Sequence, residues 1–312
     1  MTIEALPADA GGGPATGAAR ARPVPAHADP ALANVDAEHS GRISRLRHSM
    51  DASRVSAVAL ASPENIYYLT GLDHLGYFAF TLLVVPAAGV PTLITRAMER
   101  PTIRAQVPWC RHLSFSDGEP PGGLCARAVA EAAATGATGA AGEAGEAVAL
   151  EQESTFFPPA IAGAIRSGVP GVRWSSASDL LARQRAVKSS SEIGHVRRAA
   201  LISDVAMRAG IAAARHDADE RDVAAEVYRA MITAGGEPPG FAPLIRPTTI
   251  LDQEHVSWSA RRIRRGQGMF FELSGSACRY HAPQSRIVYI GQAPDGAAEA
   301  ADAALAGLLA AQ

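Results

Sequence analysis

The chain has 312 residues, 47% of them hydrophobic, with Lys+Arg 29 against Asp+Glu 31 and a formal charge of −2. That length suits two domains, and so neutral a chain has no global electrostatic reason to seek nucleic acid or anionic lipid. No apolar run approaches the roughly 18 residues of a membrane helix. Three cysteines without CxxC spacing, Cys110, Cys125 and Cys278, argue against a disulfide scaffold or zinc–thiolate site and for a reducing cytoplasm.

Residues 1–40 are rich in Ala, Gly and Pro with almost no large apolar side chain. Such a stretch cannot offset its ordering entropy, so a disordered tail is expected, and it lacks the pattern of a secretory signal. Ile43, Leu46, Met50 and Val55 lie near helical spacing, which predicts a helix over 41–54. Val55–Leu60 and Phe80–Val85 read as strands, with Ser62-Pro63-Glu64-Asn65 as a turn leading into Ile66–Thr70. Gly89-Val90-Pro91 breaks the chain before a further strand at Thr92–Thr95. Residues 131–147 are of low complexity and predict a loose helix or loop, after which Val148–Glu151 resumes as a strand. Residues 158–183 read as partly helical, with a turn at Pro170-Gly171.

A boundary falls near Arg185–Ser191. Ser189-x-x-Glu192 is a capping-box pattern, so a helix starts there. A second helix is expected from Asp219 to Gly235-Gly236, with Val223, Val227 and Met231 four apart. Strands follow at Gly268–Leu273 and from Arg279 to Ile290, then an Ala-rich helix over 296–312.

Several segments, in order, resemble the pita-bread family of Xaa-Pro aminopeptidases, prolidases, creatinases and ectoine hydrolases. Asn65-Ile66-Tyr67-Tyr68-Leu69-Thr70-Gly71 is similar to the family's N-x-x-Y-L-T-G stretch. Arg185 to Ile193 resembles the R-x-x-K-s-x-x-E-I start of its catalytic domain, and Gly266 to Glu272 its G-D-x-x-x-x-D strand. The resemblance implies an α+β chain. A creatinase-type N-terminal α/β domain would cover 41–184 and the first half of a pita-bread domain 185–312, C-terminally truncated. It also implies a homodimer acting on a small molecule or dipeptide.

Metal-dependent members carry an Asp on that strand and a second Asp eleven residues later, where this chain has Glu272 and Pro283. Proline has no ligand atom, so the expectation is no metal and no cofactor. The strand pair resembles the ectoine-hydrolase type, which implies metal-independent opening of a C–N bond, amide or amidine, by acid/base chemistry. A metal-dependent Xaa-Pro dipeptidase or aminopeptidase fragment is the alternative, and a non-catalytic remnant another.

His255 lies 17 residues before Glu272, the spacing of the family histidine, and an imidazole can exchange protons near neutral pH. The alternative is a solvated loop histidine beside Trp258. Glu272 in its apolar strand is the second catalytic candidate, either inward and protonated or turned to solvent. Arg279 and His281 alternate onto one face and are candidates for holding a substrate carboxylate. The resemblance places His74 on a loop that approaches the partner's active site in family dimers, as a further substrate-binding candidate. Half a pita-bread domain would leave an unpaired sheet edge.

Overall fold

Residues 36–136 and 147–312 are described by the structure, a computed structural model. Residues 1–35, most of the expected tail, and residues 137–146 of the low-complexity segment lie outside them. The chain divides into two units, residues 1–184 and 185–312.

The first unit is built on a six-stranded sheet in the order β4-β3-β2-β1-β5-β6. Its strands are β1 (Val55–Leu60), β2 (Leu82–Pro86), β3 (Thr92–Arg96), β4 (Arg111–Phe115), β5 (Ala147–Leu150) and β6 (Arg173–Ser176). The β1–β2 and β2–β3 pairs are antiparallel and the others parallel. Strand β1 is buried throughout, and its two faces differ in size. Val58 and Leu60 pack with Ile43, Leu46, Met50, Leu69 and Ile103, from α1 (Ala37–Ala52), α2 (Pro63–Thr70) and α3 (Arg100–Gln106). Ala57 and Ala59 pack with Cys125, Val129 and Ile165, from α4 (Gly122–Gly136) and α5 (Pro159–Gly168). Small residues on one face let those two helices approach the sheet closely. The unit is therefore a sheet between helical layers.

Two local expectations are corrected. Helix α1 begins at Ala37 rather than 41, because the Asp36 side chain accepts hydrogen bonds from the backbone N–H groups of Glu38 (3.0 Å) and His39 (3.1 Å). Ser62–Asn65 is not a turn but the start of α2, with Pro63 in its first turn, where a fixed φ suits a helix. The α2 start is held by Glu151, buried at the end of β5. Its carboxylate accepts from the N–H groups of Ala61 and Ser62, each at 2.8 Å, and from Asn65 Nδ2. Tyr68 lies under the Arg42 guanidinium, 4.2 Å from ring centroid to Cζ, and Gly71 closes the helix at φ 73°. The family-like stretch 65–71 thus does structural work in its own unit.

The second unit comprises α7 (Ser190–Ala213), α8 (Glu220–Thr233), β7 (Leu244–Pro247), β8 (Gly268–Ala277), β9 (Tyr280–Tyr289) and α9 (Ala297–Ala311), preceded by α6 (Ser178–Ala186) at the division. The capping box forms as read: Ser189 Oγ accepts from Glu192 N–H and the Glu192 carboxylate from Ser189 N–H. Asp219 caps α8 through Arg221 N–H at 2.9 Å. The three strands run β7-β8-β9, antiparallel throughout, leaving β9 at an edge. Helices α7 and α8 cover one sheet face, where Met269, Phe271 and Leu273 are fully buried with Ala206, Val223 and Val227. Gly275 permits that approach, since a Cβ there would lie 2.5 Å from Ala199 O.

Candidate active site

The β8–β9 hairpin organises the site. Its ladder is continuous from Gly268↔Tyr289 to Ala277↔Tyr280, closed by the two residues Cys278 and Arg279. Both take left-handed backbone angles, φ 49° and 63°, as a two-residue hairpin turn of the I′ kind demands. Glu237 secures this turn: its two carboxylate oxygens accept from Cys278 N–H (2.8 Å) and Arg279 N–H (2.9 Å).

Because odd-numbered β8 residues face the helices, Phe270, Glu272, Ser274 and Ser276 point to the opposite face. Their register partners Ile287, Ser285, Pro283 and His281 share that face and are exposed. Glu272 is half-buried in mid-strand opposite Ser285. His281 stands opposite Ser276, and its Nε2 accepts from Gly240 N–H at 3.0 Å. In the neutral ring that contact places the hydrogen on Nδ1. Glu272 and Ser276 are four residues apart, so the Cα atoms of Glu272 and His281 are separated by about 13 Å along the strand.

Arg279 differs from its expected place. It lies in the turn rather than on the strand, so it does not alternate onto the His281 face by strand periodicity. His74 belongs to the first unit, where its Nδ1 accepts from Gly76 N–H at 3.0 Å and lies 3.9 Å from the Glu99 carboxylate.

His255 is exposed, in a loop between β7 and β8, with a left-handed φ of 57°. Several side chains missed in the sequence fasten this loop. Ser257 Oγ donates to Pro243 O (2.6 Å) and accepts from Ile245 N–H (3.3 Å). Arg261 bridges Ser257 O (3.1 Å) and the buried Glu220 carboxylate (2.8 Å), which also accepts from Ser259 N–H. Trp258 meets Tyr228 edge to face, 5.9 Å between centroids, and burial raises the Tyr228 pKa. Arg246, on β7 opposite Phe270, reaches the residues on either side of His255. Phe270 and Glu272 are successive residues on one face, so the His255 loop is tied to the sheet beside the Glu272 position. The signal for Arg246 was a lone charge in the apolar run Leu244–Pro247. Beside the loop, hydrogen bonds from Arg221 hold the Asp219 carboxyl well below the usual carboxylate range.

Residues 42–187 match the family model of the Creatinase/Prolidase N-terminal domain, and residues 194–312 that of Metallopeptidase family M24. The chain belongs to the creatinase and M24 peptidase family. It is 27% identical over 268 residues to an uncharacterized hydrolase/peptidase of Sinorhizobium fredii, covering 83% of this chain and 67% of that one. It is 24% identical over 290 residues to the ectoine hydrolase of Halomonas elongata, covering 87% and 70%. The prolidase of Pyrococcus horikoshii shares the fold, with a TM-score of 0.67 at 20% identity over 83% of this chain and 67% of that one. The chain thus spans about two thirds of the length of the relatives it matches. It carries the mixed α/β organisation of this family, and the first two relatives above are named as hydrolases.

The M24 name implies a divalent metal, and the residues of this hairpin do not fit one. Glu272 is the one carboxylate on its face of β8; its direct partner is Ser285 and its diagonal neighbour toward the turn is Pro283. Proline supplies no donor, and the next position, His281, has Nε2 committed to Gly240. Among the described residues no three His, Cys, Asp or Glu side chains are grouped to hold an ion. No helix among them is long and apolar enough to cross a membrane.

Proposed function

We propose that this chain serves metal-independent hydrolysis of a C–N bond in a small molecule such as ectoine, with His255 as the acid/base. The observation that carries this reading is Pro283 at the diagonal to Glu272, which removes the second carboxylate of a metal pair. Ectoine is a cyclic amidine bearing a carboxylate. His255 takes a proton from water as its oxygen adds to the amidine carbon. The ring C–N bond then opens, and both water hydrogens finish on the departing nitrogen. His255 passes its proton to that nitrogen, and the Glu272 carboxylate accepts a hydrogen bond from it. His281 Nδ1–H and the Arg279 guanidinium hold the substrate carboxylate from the turn end of the hairpin. The protein acts as a homodimer, and the reaction runs in the cytoplasm. The domains doing this are residues 41–184 and 185–312.

The runner-up is Xaa-Pro dipeptide cleavage, favoured by the M24 match and by the fold shared with prolidases. Incubation of the purified chain with ectoine and, separately, with a Xaa-Pro dipeptide, followed by mass spectrometry of products, separates the two. Ring opening without dipeptide cleavage is expected. Dipeptide cleavage alone would hand the assignment to the runner-up.

A further inference from the structure

His255 owes its placement to an arginine on the neighbouring strand. Arg246 is 2% exposed, buried in β7 with its guanidinium 5.0 Å from the Phe270 ring centroid. Its Nη1 donates to Val256 O at 3.1 Å, and its Nη2 lies 3.5 Å from the Glu254 carboxylate. These are the two residues that flank His255. Burying a guanidinium costs desolvation energy that an apolar side chain of similar volume would not incur. The Arg246 Nε remains without a partner among the described residues, so the guanidinium is not there to satisfy a complete network. What it does accomplish is to fasten the loop on both sides of a non-glycine residue held at φ 57°. Such a backbone persists where its surroundings over-determine it, and it clusters at functional sites. Ser257 supplies a second, independent fastening to the same strand through Pro243 O and Ile245 N–H.

We propose that Arg246 is the positioning residue for His255, acting through Val256 and Glu254 rather than on substrate. The proposal rests on the reading of His255 as acid/base. An arginine in this role fixes the backbone from which the imidazole projects. It therefore governs turnover more than substrate affinity, since a misplacement of about 1 Å costs about a hundredfold in rate.

The test combines amide hydrogen exchange with kinetics on the full chain, using R246M, R246K, E254Q, H255A and the double variant R246M/H255A. In R246M, exchange at residues 253–258 should rise on the order of tenfold or more while β8 and β9 keep their protection. Turnover should fall by about a hundredfold with KM nearly unchanged, R246K should recover part of it, and R246M should cost nothing further once His255 is gone. Exchange that rises equally across β7, β8 and β9 would make Arg246 a core residue only and overturn the proposal. Unchanged loop exchange in R246M would overturn it as well. Should R246M not fold, E254Q and R246K give the same reading, since each loosens one fastening; no rise at 253–258 in either overturns the proposal. If H255A keeps full turnover, the acid/base reading falls by itself, and the exchange data still decide whether Arg246 holds the loop.

Discussion

Glu272 and Pro283 share one face of the β8–β9 hairpin, a single diagonal step apart, with Ser285 directly opposite Glu272 and Ser274 opposite Pro283. Diagonal neighbours on an antiparallel pair lie about 7–8 Å apart, a spacing two long side chains can close around one ion. Here one of the two is a proline, so the face keeps a lone acid. On the proposed reading, proton transfer falls to His255, with Glu272 as its partner.

His255→Ala should therefore lower turnover of a cyclic amidine by about 10²–10⁴-fold, the usual contribution of one general acid–base group. Steady-state product formation by H255A against wild type measures this. Equal turnover would remove His255 from the mechanism.

Glu151 holds the start of α2 through two backbone N–H groups and Asn65 while only 3% exposed. Glu151→Ala strands three donors and should cost the first unit about 3 kcal/mol. By calorimetry that is a fall of about 6–12 °C in its melting temperature. A shift within a degree would mean that water replaces the carboxylate at no cost.

Arg279 is strained by its left-handed φ of 63° in the β8–β9 turn. Arg279→Gly should stabilise the hairpin by about 0.5–1 kcal/mol in denaturant titration, because glycine adopts this conformation freely. The same variant should weaken binding of a carboxylate-bearing substrate. Loss of stability in R279G would show that the side chain, rather than the turn, sets the balance.

His112 has its pKa held below the ordinary 6.5 by burial and then by the charges of Arg100 and Arg104. The folded state thus binds this proton less readily than the unfolded one. The stability it contributes is present above about pH 6.5 and is lost as the pH falls toward its lowered folded value. Urea titrations across pH 5–8 should show that decline in wild type and a flatter profile in His112→Asn. Identical profiles would place the pH dependence elsewhere.

The parts of this fold that could be read in advance were those whose physics is local. Strands β1 and β3 are short apolar runs bounded by turn residues, and Ser189 with Glu192 spells its own cap. Strands β4 and β6, Arg111–Phe115 and Arg173–Ser176, carry polar residues at half-exposed positions, so no periodicity marks them. Pro63 suggested a turn because a proline after serine suits a turn and a helix start equally well. Within the site, the faces of Glu272 and His281 follow from strand alternation once the hairpin register is known. Arg279 was misplaced because a two-residue turn of Cys and Arg lacks the glycine or asparagine that announces one. Arg246, Glu237 and Glu220 act on backbone groups at least ten residues away, and no local pattern encodes such partners.

Metal stoichiometry, measured by elemental analysis of the purified chain alongside ectoine turnover before and after chelator treatment, bears most directly on the lone-acid face. The expected result is divalent metal well below one equivalent per chain, with turnover unaffected by chelation. Two tightly bound equivalents, with turnover lost on chelation and restored by adding the ion back, would contradict it.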